Sequence, residues 1–143
     1  MSTSINLDSL TQALASLSRS LKVCEEQFLI KKLDPALKET LMAGAIQHFE
    51  FTFELCWKII KRKLTLDAAV PETIDAFSYP ELMREAHMKQ LITHIDAWMV
   101  YRHQRNLTSH TYHLDYAQQI YEALPSFYQD ACFLLNQLKQ HAR

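Results

Sequence analysis

A chain of 143 residues, 48% apolar and 22% charged, has the length and composition of one soluble domain with a sizeable core, here taken as residues 1–143. Fifteen Lys and Arg against sixteen Asp and Glu leave a formal net charge of −1, which gives no support for a protein that coats nucleic acid broadly. A single glycine, Gly44, argues against glycine-rich phosphate loops and a turn-rich all-β fold, so the composition points to helices.

No run of about 18 apolar residues is present to cross a membrane. The first residues, Met1 to Asn6, lack the basic-then-apolar order of a signal peptide. Cys24, Cys56 and Cys132 lie far apart, without C-x-x-C spacing and within apolar helical patterns. They read as reduced, buried thiols, and the chain as a cytoplasmic protein.

Leu7, Leu10, Leu14, Leu17, Leu21, Cys24 and Phe28 recur at spacings of three and four. That stripe predicts a long first helix with one face on partner helices, capped by Ser4 or Asn6. Asp34-Pro35 is a strong start for a second helix, because Asp caps and Pro suits the first turn. This helix is predicted over about residues 35–64, with Ile46, Phe49, Phe53, Trp57, Ile60 and Leu64 on one side. Phe51, Leu55 and Ile59 form a second apolar row, so it reads as the most enclosed helix, with a possible face for a second subunit.

Glu50 and Glu54 stand four apart on that helix, where like charges repel by a few tenths of a kcal/mol. Lys58 is expected to supply part of the offset by pairing with Glu54 one turn on, and an arginine of the cationic stretch at 101–113 could supply the rest. A solvated charged strip fits the residues equally well.

Between Leu66 and Tyr79 the periodicity weakens to a loop or a short turn of helix. Ser78-Tyr79-Pro80-Glu81 has the form of a capping box leading into a short helix through about Met88. A further helix is predicted from about Gln90, with Leu91, Ile95, Trp98, Met99 and Arg102 on one stripe. The last helix carries Ala117, Ile120, Leu124, Phe127, Ala131, Leu134 and Leu138, with a kink or brief break expected at Pro125. The sum is an all-α fold, an antiparallel up-and-down bundle of four long helices plus a short extra one.

Between the last two helices lies Tyr101-Arg102-His103-Gln104-Arg105-Asn106-Leu107-Thr108-Ser109-His110-Thr111-Tyr112-His113, with two arginines, three histidines and no acidic residue. Its Asn, Thr and Ser residues favour caps and turns, which places the stretch where one helix ends and another begins. A local cationic patch on a neutral chain suits an anion. Arg105 could grip two phosphate oxygens, and His110 could accept and return a proton near neutral pH. That pair fits metal-independent cleavage of an RNA phosphodiester, with Asn106 and Arg102 as further phosphate-binding candidates. By spacing alone, His110 could equally be a helix-end histidine with no catalytic role. His103, His110 and His113 lack the carboxylate and Cys companions of a good zinc site, so neither a metal nor a cofactor is expected.

Phe49-Glu50-Phe51-Thr52-Phe53-Glu54-Leu55-Cys56-Trp57-Lys58, then Arg84-Glu85-Ala86, then Arg105-Asn106-Leu107-Thr108-Ser109-His110-Thr111-Tyr112 resemble the nucleotidyltransferase substrate-binding family of the HEPN superfamily. The resemblance runs in order from about Leu7 to Leu138. It implies a homodimeric helical bundle whose partner is an MNT-type nucleotidyltransferase encoded nearby. It further implies that R-x4-H-x-Y, here Arg105, His110 and Tyr112, carries ribonuclease-toxin chemistry at a cleft shared by the two copies. Asn106 matches the family's polar residue after the arginine. Neutralisation would come from AMP transfer onto Tyr112 by the partner. Glu50, Glu54, Trp57 and Lys58 become candidates to line the groove. An alternative reading of the same family is a non-catalytic subunit that binds nucleotide or substrate for a two-component nucleotidyltransferase.

Overall fold

Helix α1 (Asp8–Phe28) buries Leu10, Leu14, Leu17, Leu21 and Cys24, as its stripe predicts, together with Ala13. The computed structural model describes residues 5–141. Within them the Asp8 backbone N–H donates to Asn6 Oδ1 at 2.9 Å, so Asn6 serves the start of α1; the alternative cap, Ser4, lies outside the described residues. After a short connection, α2 (Pro35–Asp67) begins where Asp34 Oδ1 accepts the Ala36 N–H at 3.0 Å. At 33 residues it spans about 50 Å and packs against every other helix of the chain.

One side of α2 holds Phe49, Phe53, Cys56 and Ile60 in the core. The second apolar row is only partly enclosed: Ile59 is buried, Leu55 half-buried, and Phe51 59% exposed. A 100° step per residue sets Phe51 about 200° from Phe49, on the outward side of the helix. Within one chain, α2 is therefore not enclosed all round.

Where the sequence allowed a loop or a short turn of helix, a five-residue helix α3 (Pro71–Asp75) forms and inserts Ile74 into the core. Helix α4 (Tyr79–Met88) starts with the capping box read from the sequence: Glu81 N–H donates to Ser78 Oγ, and Ser78 N–H to Glu81 Oε1. Its end corrects the sequence reading. Gln90 takes a left-handed φ of 63°, its N–H bonds the His87 carbonyl, and Leu91 N–H bonds the Ala86 carbonyl. That bonding closes α4 in a Schellman motif, so no helix starts at Gln90. Leu91 and Ile92 instead plug the core from a non-helical link, and α5 (Ile95–Leu107) begins only at Ile95.

A 3₁₀ turn, Thr108–His110, follows α5, and α6 (Leu114–Gln140) runs on unbroken through Pro125. Proline removes a donor for the Tyr121 carbonyl. Leu124, Phe127 and Ala131 are fully buried on either side of it, and that packing keeps both segments in one helix. Six α-helices and no strand make up the described residues, as an all-α bundle of four long helices with two short ones.

The centre of the core is aromatic. Phe49 of α2 meets Phe127 of α6 edge-on at 4.9 Å, and Tyr101 of α5 meets the same ring at 5.2 Å. Tyr101 Oη also donates to Asp130 Oδ2 on α6 at 2.5 Å. Burial, reinforced by that carboxylate, pushes the Tyr101 hydroxyl well above its ordinary pKa. Tyr79 donates to the Trp98 carbonyl at 2.8 Å, tying α4 to α5, and burial raises its pKa likewise. All three cysteines are free; Cys24 and Cys56 are buried and Cys132 is half-buried. Burial raises the Cys56 thiol far above the ordinary range, as expected of a core residue. No helix among the described residues is long and apolar enough to cross a membrane.

Candidate functional site

The last turns of α5 present Arg102, Arg105 and Asn106 on one face, as spacings of three and four require. Arg105 is held by α2. Its Nε donates to Glu54 Oε1 at 3.1 Å, and its Nη1 lies 3.7 Å from Glu50 Oε2. Nη1 also donates to Thr108 Oγ1 at 3.1 Å. The Thr108 hydroxyl contacts both Glu50 Oε2 and the Arg105 carbonyl. It has one proton to give, and the carboxylate is the stronger acceptor. Among the described residues, Arg105 Nη2 makes no hydrogen bond and remains available.

The repulsion between Glu50 and Glu54 is thus offset by Arg105, the arginine contribution expected from the sequence. Lys58 does not contribute. Glu54 Oε1 is occupied by Arg105 and Oε2 by Trp57 Nε1 at 3.0 Å, both from half-buried donors. Lys58 is exposed, and its ammonium lies 5.9 Å from the centre of the Trp57 ring.

Arg102, Arg105 and Asn106 line a pocket of about 340 Å³ together with Glu54, Trp57 and Lys61. Its walls are Phe53, Phe77 and Tyr79, and the Arg102 guanidinium lies 4.7 Å above the Tyr79 ring. Of the groove candidates in the sequence, Glu54 and Trp57 line this pocket. Glu50 touches it only through Arg105 and Thr108, and Lys58 stays outside.

His110 and Tyr112 occupy a different setting. The 3₁₀ turn carries His110 outward into an exposed group of rings with Tyr112, His113 and Tyr116. His110 lies 6.1 Å from Tyr112 and 6.5 Å from Tyr116, and His113 lies 4.5 Å from Tyr112, centre to centre. Tyr112 is 74% exposed. No hydrogen bond joins His110 to Arg105 among the described residues, and His110 is not on the pocket wall. Nor do three or more His, Cys, Asp or Glu side chains among them converge as metal ligands.

Sequence reasoning passed over several residues of the site, among them Thr108, Lys61, Phe77 and Tyr79. Lys61 had a signal, since it lies four residues beyond Trp57 and seven beyond Glu54 on the same helix face. Thr108 lay inside the cationic stretch but read as a turn former. Phe77 and Tyr79 reach the pocket only because α3 and α4 fold back against α2, which no local spacing announces.

A family profile described as "nucleotidyltransferase substrate binding protein like" matches residues 5–140. A protein named probable ribonuclease HepT, from Haemophilus influenzae, is 36% identical over 140 residues, covering 98% of this chain and 96% of its own length. A solved structure, also from Haemophilus influenzae, is described as revealing the fold of a substrate-binding domain of a nucleotidyltransferase. It superposes with a TM-score of 0.89 at 37% identity, over 94% of this chain and 100% of that one. A structure from Thermus thermophilus superposes with a TM-score of 0.58 at 25% identity, over 89% and 98% of the two chains.

Proposed function

The chain belongs to the nucleotidyltransferase substrate-binding protein-like family, and from that premise we propose that it is a HEPN-type toxin, a metal-independent endoribonuclease of a HEPN/MNT toxin–antitoxin pair. The observation that carries this reading is Arg105, fixed in advance by Glu54 and Thr108 with Nη2 left open, one short turn from an exposed imidazole. Similarity to a protein named as a probable ribonuclease supports it.

In this mechanism His110 takes the proton of a ribose 2′-hydroxyl, and the 2′-oxygen attacks the adjacent phosphorus. The bond from phosphorus to the 5′-oxygen breaks, leaving a 2′,3′-cyclic phosphate and a 5′-hydroxyl. That hydroxyl takes its proton from the second copy's imidazole or from water. Arg105 stabilises charge on the non-bridging oxygens, while Arg102 and Asn106, on the adjoining pocket wall, would hold the neighbouring nucleotide. The reading places the protein in the cytoplasm as a homodimer whose two sites face one cleft.

The partner is an MNT-type nucleotidyltransferase that transfers AMP from ATP. The Tyr112 oxygen attacks the α-phosphorus, loses its proton, and pyrophosphate leaves. The exposure of Tyr112 beside His110 and His113 supports this role. The added phosphate would occupy the anion site and block the cleft.

The test is cleavage of single-stranded RNA in the presence of a chelator. The expected outcome is cutting by the parent and none by His110→Ala at unchanged helix content. Equal cutting by both proteins would remove the assignment. Intact mass after incubation with the nucleotidyltransferase and ATP checks the second half, with AMP added to the parent and none to Tyr112→Phe.

The second reading, a non-catalytic nucleotide-binding subunit of a two-component nucleotidyltransferase, is favoured by one observation: Arg105 faces a pocket that His110 does not line. It predicts nucleotide binding and a stable complex with the nucleotidyltransferase, but no RNA turnover.

A further inference from the structure

The pocket between α2, α3, α4 and α5 has chemistry that cleavage at Arg105 and His110 leaves unused. Its aromatic members have their polar ends satisfied elsewhere. Trp57 Nε1 is bonded to Glu54, and Tyr79 Oη to the Trp98 carbonyl. What they offer the pocket is ring surface, backed by buried Phe53. Arg102 lies on the Tyr79 ring and has its opposite face and N–H edge to offer.

The charge balance is positive. Glu54 is spent on Arg105 and Trp57, and Arg102 has no ion pair among the described residues. Lys61 has only a loose contact, 3.9 Å from the well-exposed Asp75 carboxylate. Asn106 brings an amide to the same rim. Flat apolar walls, two available cations and one amide match an aromatic heterocycle joined to a phosphate. A volume of about 340 Å³ is near the low end for ligand sites, enough for one such unit and too small for two stacked ones.

We propose that this pocket is a subsite for a single nucleotide unit, with the base against Trp57 and Arg102 and the phosphate on Lys61 and Arg102. The assignment rests on the RNA-cleaving reading, in which the pocket holds the nucleotide flanking the scissile phosphate at Arg105. The unit can come from an RNA strand or from a free nucleoside monophosphate.

The experiment uses the full chain carrying His110→Ala, so that RNA is not consumed. Affinity is measured for a short single-stranded oligoribonucleotide and for copies with one abasic residue moved along the strand. Nucleoside 5′-monophosphates are titrated separately against tryptophan fluorescence. Losing one stacked base should weaken binding about tenfold at a single abasic position. Lys61→Glu, at a rim position where helix content should hold, should weaken the intact strand by a similar factor and erase the abasic effect. Monophosphates that bind in a Lys61-dependent way, without competition from the strand, also support the pocket and identify free nucleotide as the source.

If every abasic strand binds as tightly as the intact one, and monophosphates bind equally to parent and Lys61→Glu or not at all, the pocket assignment is overturned. RNA cleavage by the unsubstituted protein then still supports the ribonuclease reading. Lys61-dependent nucleotide binding without any RNA cleavage separates the two the other way: the pocket stands and the ribonuclease reading falls.

Discussion

Arg105 and His110 belong to one short motif, yet the fold treats them in opposite ways. Arg105 is gripped by Glu54 and Thr108, with Glu50 close by, on a helix anchored through Tyr101 to Asp130. His110 stands on a single 3₁₀ turn in solvent, with only ring contacts around it. The difference is physical. A flexible guanidinium loses roughly 2 kcal/mol of rotamer freedom when ordered, so fixing it beforehand helps it meet an anion. An imidazole that exchanges protons needs access first, and its hydrogen bonds can tighten once substrate covers it. One half of the motif is fixed by the core, and the other stands free in solvent.

Beyond the loss of cleavage expected for His110→Ala, the largest effect falls on the built half. Arg105→Lys keeps the charge but cannot fork between Glu54 and Thr108, and RNA cleavage should drop about a hundredfold with the melting temperature nearly unchanged. Wild-type cleavage in this variant would mean that the fork has no role. Thr108→Val keeps the shape and removes the hydroxyl shared by Arg105 and Glu50, which should cost about 1–2 kcal/mol in urea unfolding. A neutral result would show that the grip on Arg105 is not tight.

The anchor can be probed by pH. Burial raises Tyr101 and Tyr79 above their unfolded value of about 10. Their contribution is fully present below about pH 10 and is lost as pH rises from there through the folded-state value, because only the unfolded chain ionises freely. Equilibrium unfolding should therefore show stability falling above about pH 10, with a shallower fall in Tyr101→Phe. The smallest effect on stability belongs to the open half: His110→Ala should change unfolding free energy by less than about 0.5 kcal/mol. A loss as large as that of Thr108→Val would erase the contrast between the two halves.

Most of the fold was legible because its signals are local. The Leu10 to Cys24 stripe, the Asp34-Pro35 start and the Ser78–Glu81 capping box each depend on spacings that a helix imposes. The misreadings came where tertiary packing overrode a local rule. Gln90 accepts a left-handed conformation that glycine usually fills, and Pro125 is carried inside a helix by the core beneath it. In the site, Arg105 at a helix end and the Glu50–Glu54 pair were each visible. The arginine contribution formed as expected, while the expected Lys58–Glu54 pair did not, because Trp57 and Arg105 take both Glu54 oxygens. The pocket was not legible, since Phe77, from the link after α3, and Tyr79, at the start of α4, reach it from far along the chain.

The position of α6 sets an order of events during synthesis. Phe127 and Asp130, which hold Tyr101, lie on α6, and α1 packs against the same helix. A ribosome releases Arg105 and His110 before that helix has emerged, so the complete motif exists for a time without the core that aims it. Under the proposed toxin function, such a delay would keep the nascent polypeptide inactive until α6 has packed.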